Sequence, residues 1–134
     1  VEAQFAYQVS DEIKWTVYGD MIRGSLKSGS NLPRIPPARL GSVVDFERED
    51  YSVQFSVNHY FEQDKVAQLE THTDGYTMID MNANYYLTFG NQDVTLFAKV
   101  NNLLDKNARV HSSFLKNVAP LPARNFVIGI RGSF

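Results

Sequence analysis

The sequence predicts an all-β chain, an antiparallel up-and-down meander of about seven strands forming part of a transmembrane β-barrel. Three observations predict it. The closing run alternates, with Phe126, Ile128, Ile130 and Phe134 on one face and Val127, Gly129, Arg131 and Ser133 on the other. The same two-residue period recurs in six earlier segments, each roughly 9–11 residues long, enough to cross a bilayer as a tilted strand. Short polar turns near 10–12, 48–50 and 89–92 interleave with long connections near 25–37, 62–74 and 103–122, as in a barrel with turns at one rim and loops at the other.

Each strand can be justified in order. Residues 1–9 set Val1, Ala3, Phe5, Tyr7 and Val9 against Glu2, Gln4 and Gln8, and Ser10-Asp11-Glu12 makes a polar turn. The second strand, about 13–24, sets Ile13, Trp15, Val17, Gly19 and Met21 against Lys14, Thr16, Tyr18 and Asp20. Pro33, Pro36 and Pro37 then forbid helix and remove ladder donors, which makes 25–37 a connection. The third strand, about 38–47, turns Leu40, Val44 and Phe46 outward and Asp45 inward. After Arg48-Glu49-Asp50, the fourth sets Tyr51, Val53, Phe55, Val57 and Phe61 against Ser52, Gln54, Ser56, Asn58 and Tyr60, and only His59 breaks the apolar face. The fifth, about 75–88, opposes Ile79, Met81, Ala83, Tyr85 and Leu87 to Asp80, Asn82, Asn84 and Tyr86. The sixth follows a short turn at Asn91-Gln92 and opposes Val94, Leu96, Ala98 and Val100 to Thr95, Lys99 and Asn101.

Bulk properties narrow the function classes. The chain has 134 residues, 43% hydrophobic and 13% aromatic, too apolar for a disordered segment. Its 13 basic residues are dispersed and the net charge is −2, so nothing points to nucleic acid. With no cysteine there is no disulfide framework, thiolate metal cluster or cysteine nucleophile. No run of about 18 apolar residues exists, which excludes a spanning helix and leaves a closed sheet as the way to pair every backbone group in lipid. The mean hydropathy of −0.30 fits, because lumen-facing residues dilute the average. No serine elbow, phosphate loop or His-Glu pair at helical spacing occurs, so the sequence is read as that of a non-enzyme. Alternation alone also fits a soluble antiparallel β-sandwich or a small ligand-carrying β-barrel. Those alternatives require the apolar face to close over a dry centre.

Four ordered segments carry a family resemblance. They are Asn31-Leu32-Pro33-Arg34-Ile35-Pro36-Pro37-Ala38-Arg39-Leu40, Glu70-Thr71-His72-Thr73-Asp74-Gly75-Tyr76-Thr77, Val100-Asn101-Asn102-Leu103-Leu104-Asp105-Lys106, and Pro122-Ala123-Arg124-Asn125-Phe126 onward to Phe134. Together they resemble the TonB-dependent outer-membrane receptors, over essentially the whole chain from about residue 12. Within that family, His111 to Lys116 followed by Ala119-Pro120-Leu121-Pro122 looks most like the zinc-uptake receptors. The resemblance implies the bacterial outer membrane and a barrel of about 22 strands plugged by an amino-terminal domain. It also implies energy drawn from the TonB protein through that plug. Residues 1–134 are expected to be the carboxyl-terminal portion, without the plug, of a longer precursor; the start within a strand and the lack of a secretory leader support this. Implied partners are outer-membrane lipid, the plug and remaining barrel strands, TonB, and the barrel-assembly machinery, for which Phe126, Ile128, Ile130 and Phe134 resemble the recognition signal.

Candidate metal ligands are few. Glu70, His72 and Asp74 fall at i, i+2 and i+4, so an extended chain would point all three the same way, and carboxylate and imidazole suit zinc. The simpler reading is a solvated loop entering a strand. His111 lies in a long loop, where it could meet ligand or pack beside Phe114 and Leu115. No resident cofactor is expected; zinc enters as a transported substrate. His59 is read as an interfacial residue.

Overall fold

The computed structural model describes residues 1–90 and 92–132. Seven strands run in sequence order: β1 (Glu2–Gln8), β2 (Ile13–Asp20), β3 (Arg39–Glu47), β4 (Tyr51–Tyr60), β5 (Tyr76–Phe89), β6 (Gln92–Asn101) and β7 (Asn125–Gly132). Each pairs antiparallel with the next in a single sheet, β1 to β7, and among the described residues there is no helix. The turn residue Asn91 and the terminal Phe134 lie outside the described residues.

Register carries the two-faced pattern from strand to strand. Tyr7, Trp15, Val44, Phe55, Met81, Val100 and Phe126 are successive cross-strand partners, one from each strand, and all are apolar or aromatic. The row one residue over reads Gln8, Lys14, Asp45, Gln54, Asn82, Lys99 and Val127. A slip of one residue anywhere would exchange the faces of every later strand. The polar face is tied internally. Gln54 Nε2 donates to Asp45 Oδ1 at 2.7 Å, Tyr18 Oη donates to Asn58 at 2.6 Å, and Arg39 pairs with Asp20 at 2.6 Å.

The apolar face covers no core. Ala108 is the one buried hydrophobic residue among those described. Phe55 is 39% exposed, Ile128 84% and Ile130 74%, and neither Val53, Ile79 nor Met81 is buried. Among the described residues there is thus no dry interior of the kind a soluble sandwich or small closed barrel requires. The exposed apolar sheet face is instead continuous across seven strands, a kind of surface that monomeric soluble proteins rarely expose beyond roughly 300–600 Å². Strands β4 and β6, 10 residues each, run about 33 Å and at a 45° tilt cover about 23 Å, close to the apolar band of a barrel wall.

The end of β2 is the strand boundary that differs most from the sequence reading. The second strand stops at Asp20 instead of continuing to about 24, because its partner β3 begins only at Arg39, beyond Pro36 and Pro37; Met21 still exchanges backbone bonds with Val1 but has no partner on the β3 side. The first long connection accordingly spans 21–38. On the polar face Gly41 lies beneath the Tyr18 ring and Gly129 beneath the Phe97 ring, each glycine paired with that aromatic; a Cβ at either would fall inside the ring.

Candidate functional site at the loop cap

The long connections after β2 (21–38), β4 (61–75) and β6 (102–124) meet at one rim, and most of the chain's buried side chains lie there. They are polar: Gln63, Thr73, Asn102, His111 and Lys116 are each at most 8% exposed. Hydrogen bonding holds this cap together where an apolar core would otherwise be needed.

Glu70 is its hub. Oε1 accepts from the Arg34 backbone N–H at 2.9 Å and Oε2 from that of Ala67 at 3.1 Å. His111 Nε2 lies 3.3 Å from Oε1, so one carboxylate joins all three connections. Burial acts to raise the Glu70 carboxyl, but the N–H groups of Ala67 and Arg34, aided by His111 and Lys116, outweigh it and hold it below the ordinary value. Burial, reinforced by the Lys116 charge, pushes His111 below its ordinary value against the opposing pull of Glu70. A carboxylate can only accept, so Nε2 carries the imidazole proton and Nδ1 accepts from Thr73 Oγ1 at 2.8 Å. Both ring nitrogens of His111 are thus engaged.

Gln63 and Asn102 complete the cap. Gln63 exchanges backbone bonds with Thr73 and donates from Nε2 to Ile35 O at 2.9 Å. Asn102, at φ 53°, receives Lys106 N–H on Oδ1 and donates from Nδ2 to Lys106 O and Pro122 O at 2.9 and 3.0 Å. Its own N–H reaches Asp80 Oδ1 at 2.8 Å. Asp105 Oδ1 receives the Arg124 N–H at 2.9 Å, so the segment Asn102 to Lys106 clamps the start of the last connection to its end.

The candidate ligands separate into two pairs. Glu70 lies with His111 inside the cap, whereas His72 Nε2 and Asp74 Oδ1 stand 3.6 Å apart with side chains 67% and 91% exposed. The expectation that Glu70, His72 and Asp74 point one way fails because the chain is not extended at Glu70. Leu69 has φ 69° and the Glu70 N–H closes a turn onto Ala67 O, which rotates Glu70 inward. Among the described residues no three His, Asp or Glu side chains gather as a metal site. His59 stands at the cap end of the apolar face, with Nδ1 2.9 Å from Thr77 Oγ1 and its ring edge-on to Phe61. Phe126, at 67% exposure, stands with Ile128 and Ile130 on the apolar face of the edge strand β7, and the signal residue Phe134 lies outside the described residues. Lys116, Gln63 and Asn102 went unremarked as site residues in the sequence; only Asn102, inside a noted motif and of a type that tolerates positive φ, left a signal.

No family model matches the chain. Solved structures match almost all of it. The copper transporter OprC superimposes with a TM-score of 0.83 at 22% identity, covering 96% of this chain and 22% of that one. A mutant of the ferric enterobactin receptor PfeA from Pseudomonas aeruginosa, in complex with enterobactin, does so with a TM-score of 0.73 at 22% identity, covering 98% of this chain and 22% of that one. The shared fold is a barrel wall. The chain spans about a fifth of the length of each protein it matches.

Proposed function

We propose that this chain is the carboxyl-terminal wall segment of a TonB-dependent outer-membrane receptor that takes up a metal ion or a metal-carrying ligand. One observation carries the reading: seven strands in register keep an apolar face and a hydrogen-bonded polar face apart, with no apolar core among the described residues. Four sequence segments that resemble the family support it, as do the names of OprC and PfeA, a copper transporter and a ferric enterobactin receptor. On this reading lipid meets Phe55, Met81, Ile128 and Ile130. The remaining strands close onto β1 and β7, a plug fills the lumen and links to TonB, and the barrel-assembly machinery engages β7. Zinc is the cargo favoured by the resemblance of the stretch from His111 to Pro122 to zinc-uptake receptors.

The intact protein, extracted in detergent, should fractionate with outer membranes and migrate faster on gels before boiling than after. Recovery in the soluble fraction as a monomer would sink the reading. For the cargo, zinc titration by calorimetry of the intact protein should weaken in His72→Ala or His111→Ala; unchanged affinity in both would remove these residues from the zinc path.

A further inference from the structure

Lys116 is 6% exposed and forms no ion pair among the described residues. Its ammonium carries three donors, and its one hydrogen bond among those residues runs to the Thr71 carbonyl. Arg34 stands on the same cleft, of about 260 Å³, which Thr71, Ser113 and Asn117 also line. The Arg34 guanidinium has no ion pair among the described residues, and Nη1 is buried without a hydrogen-bond partner. The exposed Phe114 ring stacks on it at 3.0 Å. Arg34 is held at φ 61°, in the left-handed region that a non-glycine residue rarely occupies. Buried cationic groups are ordinarily paired, so a buried lysine and a half-buried arginine with one buried, unpartnered nitrogen on the same polar cleft are a departure that a ligand would resolve. The neighbouring carboxylate, Glu70, cannot supply both charges, because its oxygens already receive two backbone N–H groups and His111. Thr71 Oγ1 donates to Asn117 Oδ1, and among the described residues Asn117 Nδ2 has no acceptor.

We propose that this cleft binds an oxyanion, a carboxylate or phosphate group held by Lys116 and Arg34 with Asn117 as a neutral donor. Arg34 offers the planar fork that matches two oxygens, and Lys116 a point charge. Phe114 shields the guanidinium from water, which strengthens the contact. Glu70 and His111, both weighed above as metal ligands, line the same cleft, with the Glu70 oxygens and both His111 ring nitrogens already engaged inside the cap.

Calorimetry of the intact protein in detergent, with inorganic phosphate and with citrate as separate probes against a chloride background, tests the site. Saturable binding of either is expected, with the stronger probe identifying phosphoryl or carboxylate as the recognised group. Truncating one charged partner of a buried pair should weaken binding about 30-fold in Lys116→Met and in Arg34→Gln. Should Lys116→Met fail to fold by gel mobility, Arg34→Gln decides, because Arg34 contributes its backbone N–H to the cap in either form. Absence of saturable binding of both probes up to about 10 mM, or an affinity unchanged in Arg34→Gln, would overturn the proposal. These outcomes concern a folded receptor, so they are independent of whether the chain reaches the outer membrane.

Discussion

Asn102 sits almost wholly buried in the left-handed region with three side-chain hydrogen bonds to main-chain groups at both ends of the last long connection. Removing it leaves the Lys106 N–H and two carbonyls unpaired, at about 1–3 kcal/mol for each group that water cannot reach. Asn102→Ala should therefore open the cap measurably, read as faster amide hydrogen exchange at Leu103 to Lys106. Asn102→Gly, which tolerates the backbone angle, should be the milder of the two. The Glu70 and His111 pair gives a second expectation. Both groups titrate lower in the closed cap than in an open one. For His111 the open state takes up a proton more readily, so closure weakens as pH falls below the ordinary imidazole value of about 6.5. For Glu70 the stabilisation holds above the ordinary carboxylate value and fades as pH drops through the lower folded one, which gives the same sign in a more acidic window. These 134 residues hold no cysteine, so a spin label on Val118→Cys is placed within them on this connection alone. Its mobility should rise on acidification, beginning near pH 6.5, and Glu70→Gln should blunt the second phase.

At the scale of strands, adjacent residues on β4 should behave oppositely. Phe55 stands in the apolar row and Gln54 on the hydrogen-bonded side. Phe55→Arg should cost about 2–4 kcal/mol in lipid vesicles, measured by urea unfolding, whereas Gln54→Arg, beside Asp45, should be near neutral. Equal costs would contradict the assignment of faces. Strand phase was legible in the sequence because a period of two over long segments leaves only two choices, and one of them aligns Trp15, Val44, Phe55 and Met81 in a row. Strand ends were less so. β2 stops where its partner stops, a fact located at Pro36 and Pro37, well away along the chain.

For the molecule as a whole, the sheet was readable and the cap was not. The bonds that build the cap join Arg34 to Glu70, Thr73 to His111 and Thr71 to Lys116, residues 36, 38 and 45 positions apart, and no local pattern announces such meetings. Spacing suggested that Glu70, His72 and Asp74 would act together; a single left-handed residue, Leu69, redirected the first of them. Both lateral edges of the sheet, on β1 and β7, keep backbone groups that need partners, as befits an arc of a larger wall.

A cap assembled around amides, an imidazole and charged groups, with Ala108 its one buried hydrocarbon side chain among the described residues, has a calorimetric signature. Exposing polar surface lowers heat capacity while exposing apolar surface raises it. Lifting the cap should thus absorb heat with little curvature against temperature, so that cooling tightens it steadily where an oily lid would begin to loosen.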